Sequence, residues 1–305
     1  MKKTRATAPL LLLLSAALFA GGCGSSSTEA GPAATPTGTQ ASAPTPEGPN
    51  PASSEGGEVP AAVRAALDAP DRSDADKKLD AGRHSAELLA FFGVNQGMKV
   101  GELGAGTGYT AELLARVVGP SGAVYGQNSK FLLERFAEKP WSERLAKPVM
   151  KNVVRVDREF DDPLPPEAKN LDAVLMVLFY HDTVWMRTDR PKMLRAIWNA
   201  LKPGGVFGVV DHSGRAGTGV TEVETLHRIE EKVVRDEIQA VGFRLEAEGS
   251  FLRNEGDKRD WNASPMKAGE QRGTSDRFVL KFVKPGQLGA DAPKTGGASI
   301  DLKVN

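Results

Sequence analysis

The stretch Met98–Tyr109, MKVGELGAGTGY, decides the fold of this chain. Apolar Val100 and Leu103 follow a glycine turn, which is typical of a short buried strand. Three glycines then stand at alternate positions: Gly104, Gly106 and Gly108. The apolar spacing that follows predicts a helix over Tyr109–Val118. Strand, glycine loop and helix together indicate a nucleotide-binding turn, because glycine lets a ligand approach the backbone and a helix start offers unpaired N–H groups.

The spacing of the glycines distinguishes this turn from a dinucleotide-binding turn. A dinucleotide-binding turn has G-x-G-x-x-G, whereas this chain has G-x-G-x-G with an acid two residues before it. The string ELGAGTG resembles the first motif of class I S-adenosylmethionine-dependent methyltransferases. The resemblance implies S-adenosylmethionine as cofactor, with Glu102 holding its cationic end and the loop residues Gly104, Ala105, Gly106 and Gly108 against its methionine part. The alternative interpretation is a plain glycine-rich turn.

Two further strings extend this resemblance over about residues 80–285. LKPGG before the fifth predicted strand and AVGF before the sixth recur in the same superfamily, and both stand in the expected order. A narrower resemblance, through LLAFFGVNQGMKV, LMVLFYHD and DRFVLKFVKP, is to a bacterial group of methyltransferases that often carry export signals. This resemblance implies a fold and a cofactor but no substrate.

Strand and helix patterns alternate along the central part of the chain, which predicts a mostly parallel sheet covered on both faces. The predicted strands are Met98–Leu103, Ala123–Gly126, Asn152–Val156, Leu171–Phe179, Val206–Val210, Phe243–Ala247 and Phe278–Val283. The predicted helices are Ser85–Phe92, Tyr109–Val118, Lys130–Glu138, Pro191–Leu201 and Ile229–Val241. With the family resemblance, the expected fold class is α/β: a Rossmann-like seven-stranded sheet with helices on both faces and an antiparallel last strand.

The first 22 residues have the pattern of an export signal. A basic start precedes an apolar run, Ala8–Ala20, that is too short to span a bilayer. Small residues then precede Cys23, the single cysteine of the chain, in a string that resembles the lipobox of bacterial lipoproteins. Ala20 stands where a typical lipobox has leucine, so cleavage after Ala20 is the alternative. We expect an exported lipoprotein, held at the periplasmic face of the cell envelope through Cys23.

The amino-acid composition divides residues 23–305 into a tether, a domain and a tail. Residues 23–60 are mostly Gly, Ser, Thr, Ala and Pro, with almost no large apolar side chains, which predicts a disordered tether. Residues 61–285 form the predicted methyltransferase domain, and residues 286–305 a loose tail. Lys+Arg and Asp+Glu both number 39, so no overall basic charge indicates a nucleic-acid partner. We expect a small-molecule acceptor, and membrane contact only through Cys23.

Residues that follow the second and third predicted strands are candidates for the rest of the cofactor. Ligands of open α/β sheets bind at the carboxyl ends of the strands. The second strand is followed by Gln127 and Asn128, where the family usually has an acid that binds the ribose. An amide can accept one such hydrogen bond and donate another, without charge. Asp157, after the third strand, is the candidate to accept from the adenine amino group; a solvated acidic loop is the alternative.

Two of the four histidines follow the fourth and fifth predicted strands. His181 is the first candidate for a general base, because histidine takes up a proton near neutral pH and a methyl acceptor must lose one. Tyr180 is expected to shape the pocket, and His212 is a second catalytic candidate. For each histidine the alternative is a structural role. His84 and His227 are interpreted as surface or loop residues.

Two other functions stay open at this level. Asp182, Asp211 and His212 could hold a divalent metal, as in metal-assisted methyltransferases. Alternatively, the chain could be a non-catalytic ligand-binding protein on a methyltransferase scaffold. The export signal favours this alternative, since the cofactor is made in the cytosol, and so do the amides at 127 and 128. Intact Glu102 and the glycine loop favour an S-adenosylmethionine-dependent methyltransferase.

Overall fold

An eight-stranded sheet forms the centre of the protein in the computed structural model, which describes residues 58–286 and, as backbone, residues 52–54. The strand order is β1-β7-β8-β6-β5-β2-β3-β4. β8 runs antiparallel to both of its neighbours, and the other pairs are parallel. The strands are β1 (Ala52–Ser54), β2 (Lys99–Leu103), β3 (Ala123–Asn128), β4 (Val153–Asp157), β5 (Leu171–Val177), β6 (Leu201–His212), β7 (Arg244–Gly249) and β8 (Arg277–Val283).

Helices cover both faces of the sheet. They are α1 (Ala61–Leu67), α2 (Asp74–Arg83), α3 (Ser85–Phe91), α4 (Tyr109–Val118), α5 (Lys130–Leu132), α6 (Glu138–Leu145), α7 (Asp182–Trp185), α8 (Arg190–Ala200), α9 (Val223–Leu226) and α10 (Glu231–Ala240). A π-helical turn, Leu133–Ala137, joins α5 to α6. One buried apolar cluster packs α1, α3 and α4 against the sheet, and a second packs α8 and α10. Each cluster follows from helical spacing of apolar residues, such as Met193, Leu194 and Ile197 in α8.

The predicted fold class is confirmed, since the sheet is mostly parallel, with helices around it and an antiparallel last strand. α4 has the predicted bounds, and the Ser129 side chain caps α5 by accepting a hydrogen bond from Leu132 N. Two differences matter for the site. β3 continues through Gln127 and Asn128, and β6 continues to His212, so these residues are the last of their strands rather than loop residues.

The sequence did not predict three elements at the start of the described chain. α1 and α2 precede the first predicted helix, and Arg72 in their connection pairs with Asp80 of α2 at 2.7 Å. Ala52–Ser54, within the predicted tether, adds a parallel edge strand to β7. A short polar segment without apolar alternation gives no strand signal, because a three-residue edge strand needs only backbone hydrogen bonds.

The predicted export signal, Cys23 and most of the predicted tether lie outside the described residues, as do residues 287–305 of the predicted tail. Among residues 52–54 and 58–286, no helix has the length and apolar character needed to cross a membrane.

Candidate active site

The glycine loop between β2 and α4 is fixed to the end of β3 by two side-chain amides. Gly104 N donates to Gln127 Oε1 at 3.0 Å, and Gly106 N donates to Asn128 Oδ1 at 2.8 Å. Asn128 Nδ2 also donates to Gly106 O at 3.1 Å. Both amide side chains are fully buried. The loop is therefore held in one conformation by bonds that an acid could not all make, because a carboxylate accepts but does not donate.

This arrangement differs from the ribose-binding role predicted for the two amides. The second end of Gln127 is used as well, since Nε2 donates to Arg158 O at 2.6 Å. Every polar group of Gln127 and Asn128 thus has a partner within the protein. Burying an amide costs free energy unless both its oxygen and its NH2 group form hydrogen bonds. This requirement explains why the side chains of Gln127 and Asn128 turn toward the loop. Ribose binding by these residues stays a prediction, and it requires one of the four bonds to be exchanged.

Glu102 is a buried acid at the end of β2 with an unused acceptor. Its side chain is 3% exposed, and its Oε2 has no hydrogen-bond partner among the described residues. Burial raises the pKa of Glu102 to about 8, although the Thr110 hydroxyl and the Arg83 guanidinium act in the opposite direction. A buried carboxylate without a partner costs free energy, so a cation or donor placed against Oε2 would be stabilising.

The residues around the loop fit the methionine end of S-adenosylmethionine. The unpartnered Glu102 oxygen suits its ammonium group. Arg83 and Thr110, which both act on the Glu102 carboxyl, line a small cavity together with residues of α3 and α4. Gly106 adopts φ +57°, and a Cβ there would have no neighbour closer than 3.9 Å, so its outer side is open. Gly104 is covered instead: a Cβ there would lie 2.6 Å from the ring of Phe179.

Asp157, the predicted adenine contact, is the last residue of β4. Its side chain is 46% exposed and pairs with Arg155 Nε at 2.8 Å. Phe160, which follows β4, stacks on Phe179, which follows β5, with ring centroids 4.8 Å apart. The structure therefore places an aromatic pair beside the loop and an ion-paired Asp157 at the sheet edge. Adenine binding by Asp157 stays a prediction.

Asp211 holds the ring of His181 and the backbone of both strand-end histidines. Its Oδ1 accepts from His181 Nδ1 and from His212 N, each at 2.7 Å, and its Oδ2 accepts from His181 N at 2.7 Å. Asp211 is fully buried in β6. Three charge-assisted bonds hold one carboxylate in place, so the two histidines share a single rigid anchor. The structure brings His181, Asp211 and His212 together, and Asp211 faces the protein interior.

His181 lies between two carboxylates. Its Nε2 is 3.2 Å from Asp182 Oδ1, opposite the contact of Nδ1 with Asp211. Burial alone would lower the pKa of His181, but the charges of Asp211 and Asp182 overcome it and raise the pKa to about 10. In this state the imidazole is charged at neutral pH and both of its nitrogens donate. A role as general base stays a prediction that requires Asp182 or a ligand to release Nε2.

His212 differs from His181 in charge. Burial lowers its pKa well below the usual value, and the positive charge of His181 acts in the same direction. Its Nδ1 lies 2.7 Å from Ser275 Oγ, and the rings of His181 and His212 are 5.7 Å apart. His212 is therefore a neutral imidazole at neutral pH. Of the two predicted catalytic histidines, it is the one in the protonation state that a base needs.

Tyr180 lies apart from the histidines. Its hydroxyl donates to Glu237 Oε2 of α10 at 2.6 Å, and Glu237 also pairs with Arg190 of α8. Burial raises the pKa of Tyr180 well above its usual value, and the Glu237 charge adds to this effect. The structure therefore gives the Tyr180 hydroxyl a bond between helices, and the role of Tyr180 in shaping the acceptor pocket stays a prediction.

His227 joins the site, although the sequence suggested a surface residue. Its Nε2 is 3.8 Å from Asp182 Oδ1, and its ring centroid is 4.9 Å from that of His181. His227 has φ +54°, and Leu178, just after β5, has φ +57°. Non-glycine residues in this region are strained, and such residues cluster at functional sites. The connection between β6 and α10 brings His227 here, and no periodic pattern marks that placement.

A family profile matches the part of the chain that carries the glycine loop. Residues 61–154 match protein-L-isoaspartate(D-aspartate) O-methyltransferase (PCMT). The match spans α1 to the start of β4, less than half of the chain, and includes Glu102, Gly104 and Asn128. It ends before β5 and β6, which carry the histidines. No curated protein matches the sequence.

Solved structures share the fold at low identity. A protein from Galdieria sulphuraria assigned as a sarcosine dimethylglycine methyltransferase superposes with a TM-score of 0.50 at 19% identity, covering 76% of this chain and 93% of its own. A SAM-dependent methyltransferase from Aquifex aeolicus gives 0.49 at 18% identity, covering 69% and 95%. Fibrillarin from Aeropyrum pernix with natively bound S-adenosyl-L-methionine gives 0.42 at 15% identity, covering 67% and 73%.

The fold is that of the S-adenosylmethionine-dependent methyltransferases. The family profile agrees with this class of methyltransferase over the segment that forms the cofactor turn, and S-adenosylmethionine is the cofactor of this class.

Proposed function

We propose that this protein transfers a methyl group from S-adenosylmethionine to a small-molecule acceptor. The observation that carries the proposal is the buried Glu102 carboxylate, whose Oε2 lacks a partner beside an open Gly106. A site of this kind suits a ligand with one cationic end. When bound, S-adenosylmethionine supplies an electrophilic methyl group. Glu102 and the Gly106 backbone would hold the cofactor, and Arg83 would face its carboxylate.

The acceptor side of the site would lie at the ends of β5 and β6. His181, Asp182, His212 and His227 meet there, and the neighbouring β2 carries Glu102. Phe179 links the two parts, because its ring covers Gly104 and its chain continues directly to Tyr180 and His181. Polar groups against an aromatic wall suit a small acceptor with a hydroxyl, amine or thiol. The match to the family profile ends at residue 154, before the residues of the proposed acceptor side. The isoaspartyl substrate in the name of that family therefore does not indicate which acceptor this protein uses.

Isothermal titration of the full chain with S-adenosylhomocysteine tests the part of the proposal that concerns cofactor binding. Glu102→Gln should weaken binding about 10- to 100-fold, because it removes a charge-assisted bond from a buried site. Glu87→Gln is the matched control, since Glu87 is 39% exposed and pairs only with His84 among the described residues. Equal affinities in the wild type and Glu102→Gln would remove Glu102 from the site.

Methyl transfer itself is tested with labelled cofactor and a panel of hydroxyl, amine and thiol compounds. For any acceptor found, His181→Ala should lower turnover by about two to four orders of magnitude while cofactor affinity stays nearly intact. His181→Gln keeps hydrogen bonding without basicity and should stay slow. Normal turnover in both variants would show that His181 is structural.

A second candidate function is non-catalytic binding of a small ligand. One observation favours it: Gln127 and Asn128 replace the usual acid, and all of their polar groups already have partners in the protein. Gln127→Asp separates the two functions. If Gln127→Asp binds S-adenosylhomocysteine more tightly than the wild type, the site is a cofactor site that the amide weakens. If the wild type neither binds S-adenosylhomocysteine measurably nor transfers a methyl group, the non-catalytic binding function is favoured.

We propose further that the protein is exported and anchored by a lipid on Cys23. The sequence around Ala8–Ala20 and the single cysteine support this proposal. Cys23→Ser should move the protein from the membrane to the soluble fraction after cell breakage. Equal soluble recovery of wild type and variant would favour cleavage after Ala20 instead.

A further inference from the structure

Three side chains, two that follow β5 and one in the connection between β6 and α10, turn ligand atoms toward one point. His181, Asp182 and His227 each offer one such atom, and the three atoms lie within 4.8 Å of one another. Asp182 Oδ1 is central, at 3.2 Å from His181 Nε2 and 3.8 Å from His227 Nε2. Donors around a tetrahedral ion with bonds of 2.0–2.1 Å lie about 3.3 Å apart. The side chains would therefore have to move closer by up to about 1.5 Å to enclose one ion.

Both histidines are oriented through the nitrogen that faces away from this point. His181 Nδ1 is bonded to Asp211 Oδ1 at 2.7 Å, and His227 Nδ1 is bonded to Val223 O at 3.3 Å. Histidines that bind metals in proteins usually donate their second N–H to a carboxylate or a backbone carbonyl in this way, which leaves Nε2 as the ligand. This observation is independent of the clustering, and it holds for both rings. At His181 the metal would have to displace the Nε2 proton that the neighbouring carboxylates stabilise, so metal binding would release a proton.

Asp182 is oriented as well. Trp185 Nε1 donates to Asp182 Oδ1 at 2.6 Å, within the short helix α7. The three side chains are 3%, 16% and 23% exposed, for His181, Asp182 and His227 respectively. The point between them is therefore closed on the His181 side and reachable from the His227 side. Three protein ligands with an open side are typical of catalytic metal sites, whereas structural sites are closed by a fourth ligand.

We propose that His181 Nε2, Asp182 Oδ1 and His227 Nε2 form a site for a divalent first-row transition metal, with Asp211 holding His181 in position. Two imidazoles and one carboxylate suit Zn²⁺ or Fe²⁺, and they suit Mg²⁺ poorly, because Mg²⁺ prefers oxygen ligands. The set differs from Asp182, Asp211 and His212, which the sequence suggested. Asp211 is fully buried with its bonds made, and His212 Nδ1 is paired with Ser275.

The site deepens the proposed function, and its catalytic consequence rests on that function. The open positions would accept an oxygen donor, either water or the hydroxyl of the acceptor. A divalent ion lowers the pKa of an oxygen bound to it, so the hydroxyl would lose its proton to solvent more readily. His181 would then act as a ligand rather than as a base. Metal binding itself requires neither cofactor nor acceptor.

Equilibrium dialysis of the full chain against Zn²⁺, followed by metal analysis, tests the site without cofactor or acceptor. We expect one equivalent in the wild type and in His84→Asn, a control histidine that lies outside the cluster. His227→Ala and Asp182→Asn should each bind at least tenfold more weakly. Asp211→Asn should weaken binding about 10- to 100-fold, as is usual for a residue that orients a ligand. Circular dichroism checks the fold, and Asp182→Asn, which keeps the shape of the side chain, decides the test if His227→Ala does not fold.

Cobalt provides a second readout. Co²⁺ bound at the site should give visible absorption bands that His227→Ala loses and that Zn²⁺, but not an equal concentration of Mg²⁺, displaces. Wild-type retention of Zn²⁺ no greater than that of His227→Ala would overturn the proposal. So would displacement of Co²⁺ by Mg²⁺. Titration of the same proteins with S-adenosylhomocysteine is separate, so failure of the metal site and failure of the cofactor site are distinguishable.

Discussion

Asn128 closes a ring of two hydrogen bonds with Gly106, accepting from its N–H at 2.8 Å and donating to its carbonyl at 3.1 Å. One side chain thus satisfies both backbone groups of the central glycine in the loop. The bonds fix the peptide planes on either side of Gly106. The loop that faces the proposed cofactor site is consequently formed before any ligand binds.

Asn128→Ala should lower the free energy of unfolding by about 1–3 kcal/mol, because it leaves two backbone groups of the half-buried Gly106 without these partners. Urea denaturation measures this change. Asn199→Ala is the control, since Asn199 is an exposed amide on α8, and it should change stability by less than about 0.5 kcal/mol. Equal effects of the two substitutions would mean that the ring of bonds does not stabilise the loop.

Gly106 and Gly108 should respond differently to alanine. Both have positive φ, at +57° and +83°, so each substitution should cost about 1–2 kcal/mol in backbone strain. A Cβ at Gly106 meets open space, whereas a Cβ at Gly108 would overlap the ring of Trp141. Thermal denaturation should therefore show a small loss for Gly106→Ala and a loss of several kcal/mol, or no folding, for Gly108→Ala. The opposite order would contradict the packing of Trp141 on the loop.

Glu102 should make stability depend on pH. Its pKa is about 8 in the folded chain against 4.5 ordinarily, so the folded state binds more protons between these values. The free energy of unfolding should then fall as pH rises through that window, by up to about 1.4 kcal/mol per pH unit. Subtracting the profile of Glu102→Gln isolates this contribution. A difference between the two profiles that does not change from pH 5 to 8 would show that Glu102 is ionised throughout.

The same carboxyl should make binding of S-adenosylhomocysteine depend on pH. The ammonium group of the ligand is attracted to ionised Glu102, so affinity should rise up to about tenfold per pH unit between pH 6 and 7.5. Titration calorimetry at several pH values measures the slope, and Glu102→Gln should abolish it. A slope that persists in the variant would have to come from another group.

Tyr180→Phe should cost about 1 kcal/mol of stability, because the bond to Glu237 is lost while Arg190 still pairs with Glu237. Affinity for S-adenosylhomocysteine should be unchanged. If the variant instead keeps its stability and alters the affinity for an acceptor, Tyr180 lines the pocket as the sequence indicated. Urea denaturation and acceptor titration together distinguish these results.

The cofactor turn was largely predictable from sequence because its signals are local. Alternate glycines, a preceding acid and an apolar helix pattern lie within Met98–Val118, and α4 has the predicted bounds. The direction of the Gln127 and Asn128 side chains was not predictable. Either end of an amide can bond to many partners, and only the packing of β2 beside β3 brings Gly104 and Gly106 within reach.

The histidine cluster could be predicted only in part, for a similar reason. His181 and His212 were identified because strand ends meet at one edge of a parallel sheet. His227 is separated from β6 by an irregular segment, and its position depends on contacts such as that of Gly214 N with Ile229 O. Its positive φ gives no sequence signal, since glycine, asparagine and aspartate are the residues that normally mark such a position.

The edge strand Ala52–Ser54 has a consequence for how the protein behaves at high concentration. It pairs with β7, whose outer backbone groups would otherwise be free to recruit a strand from another molecule. By covering part of the β7 edge, the three residues should reduce self-association through strand pairing. A shortened chain that starts at residue 58 keeps every described helix and the proposed cofactor and metal sites, yet it exposes the Ala247–Gly249 part of the β7 edge that β1 covers. Light scattering should show that it associates at concentrations where the longer chain stays monodisperse.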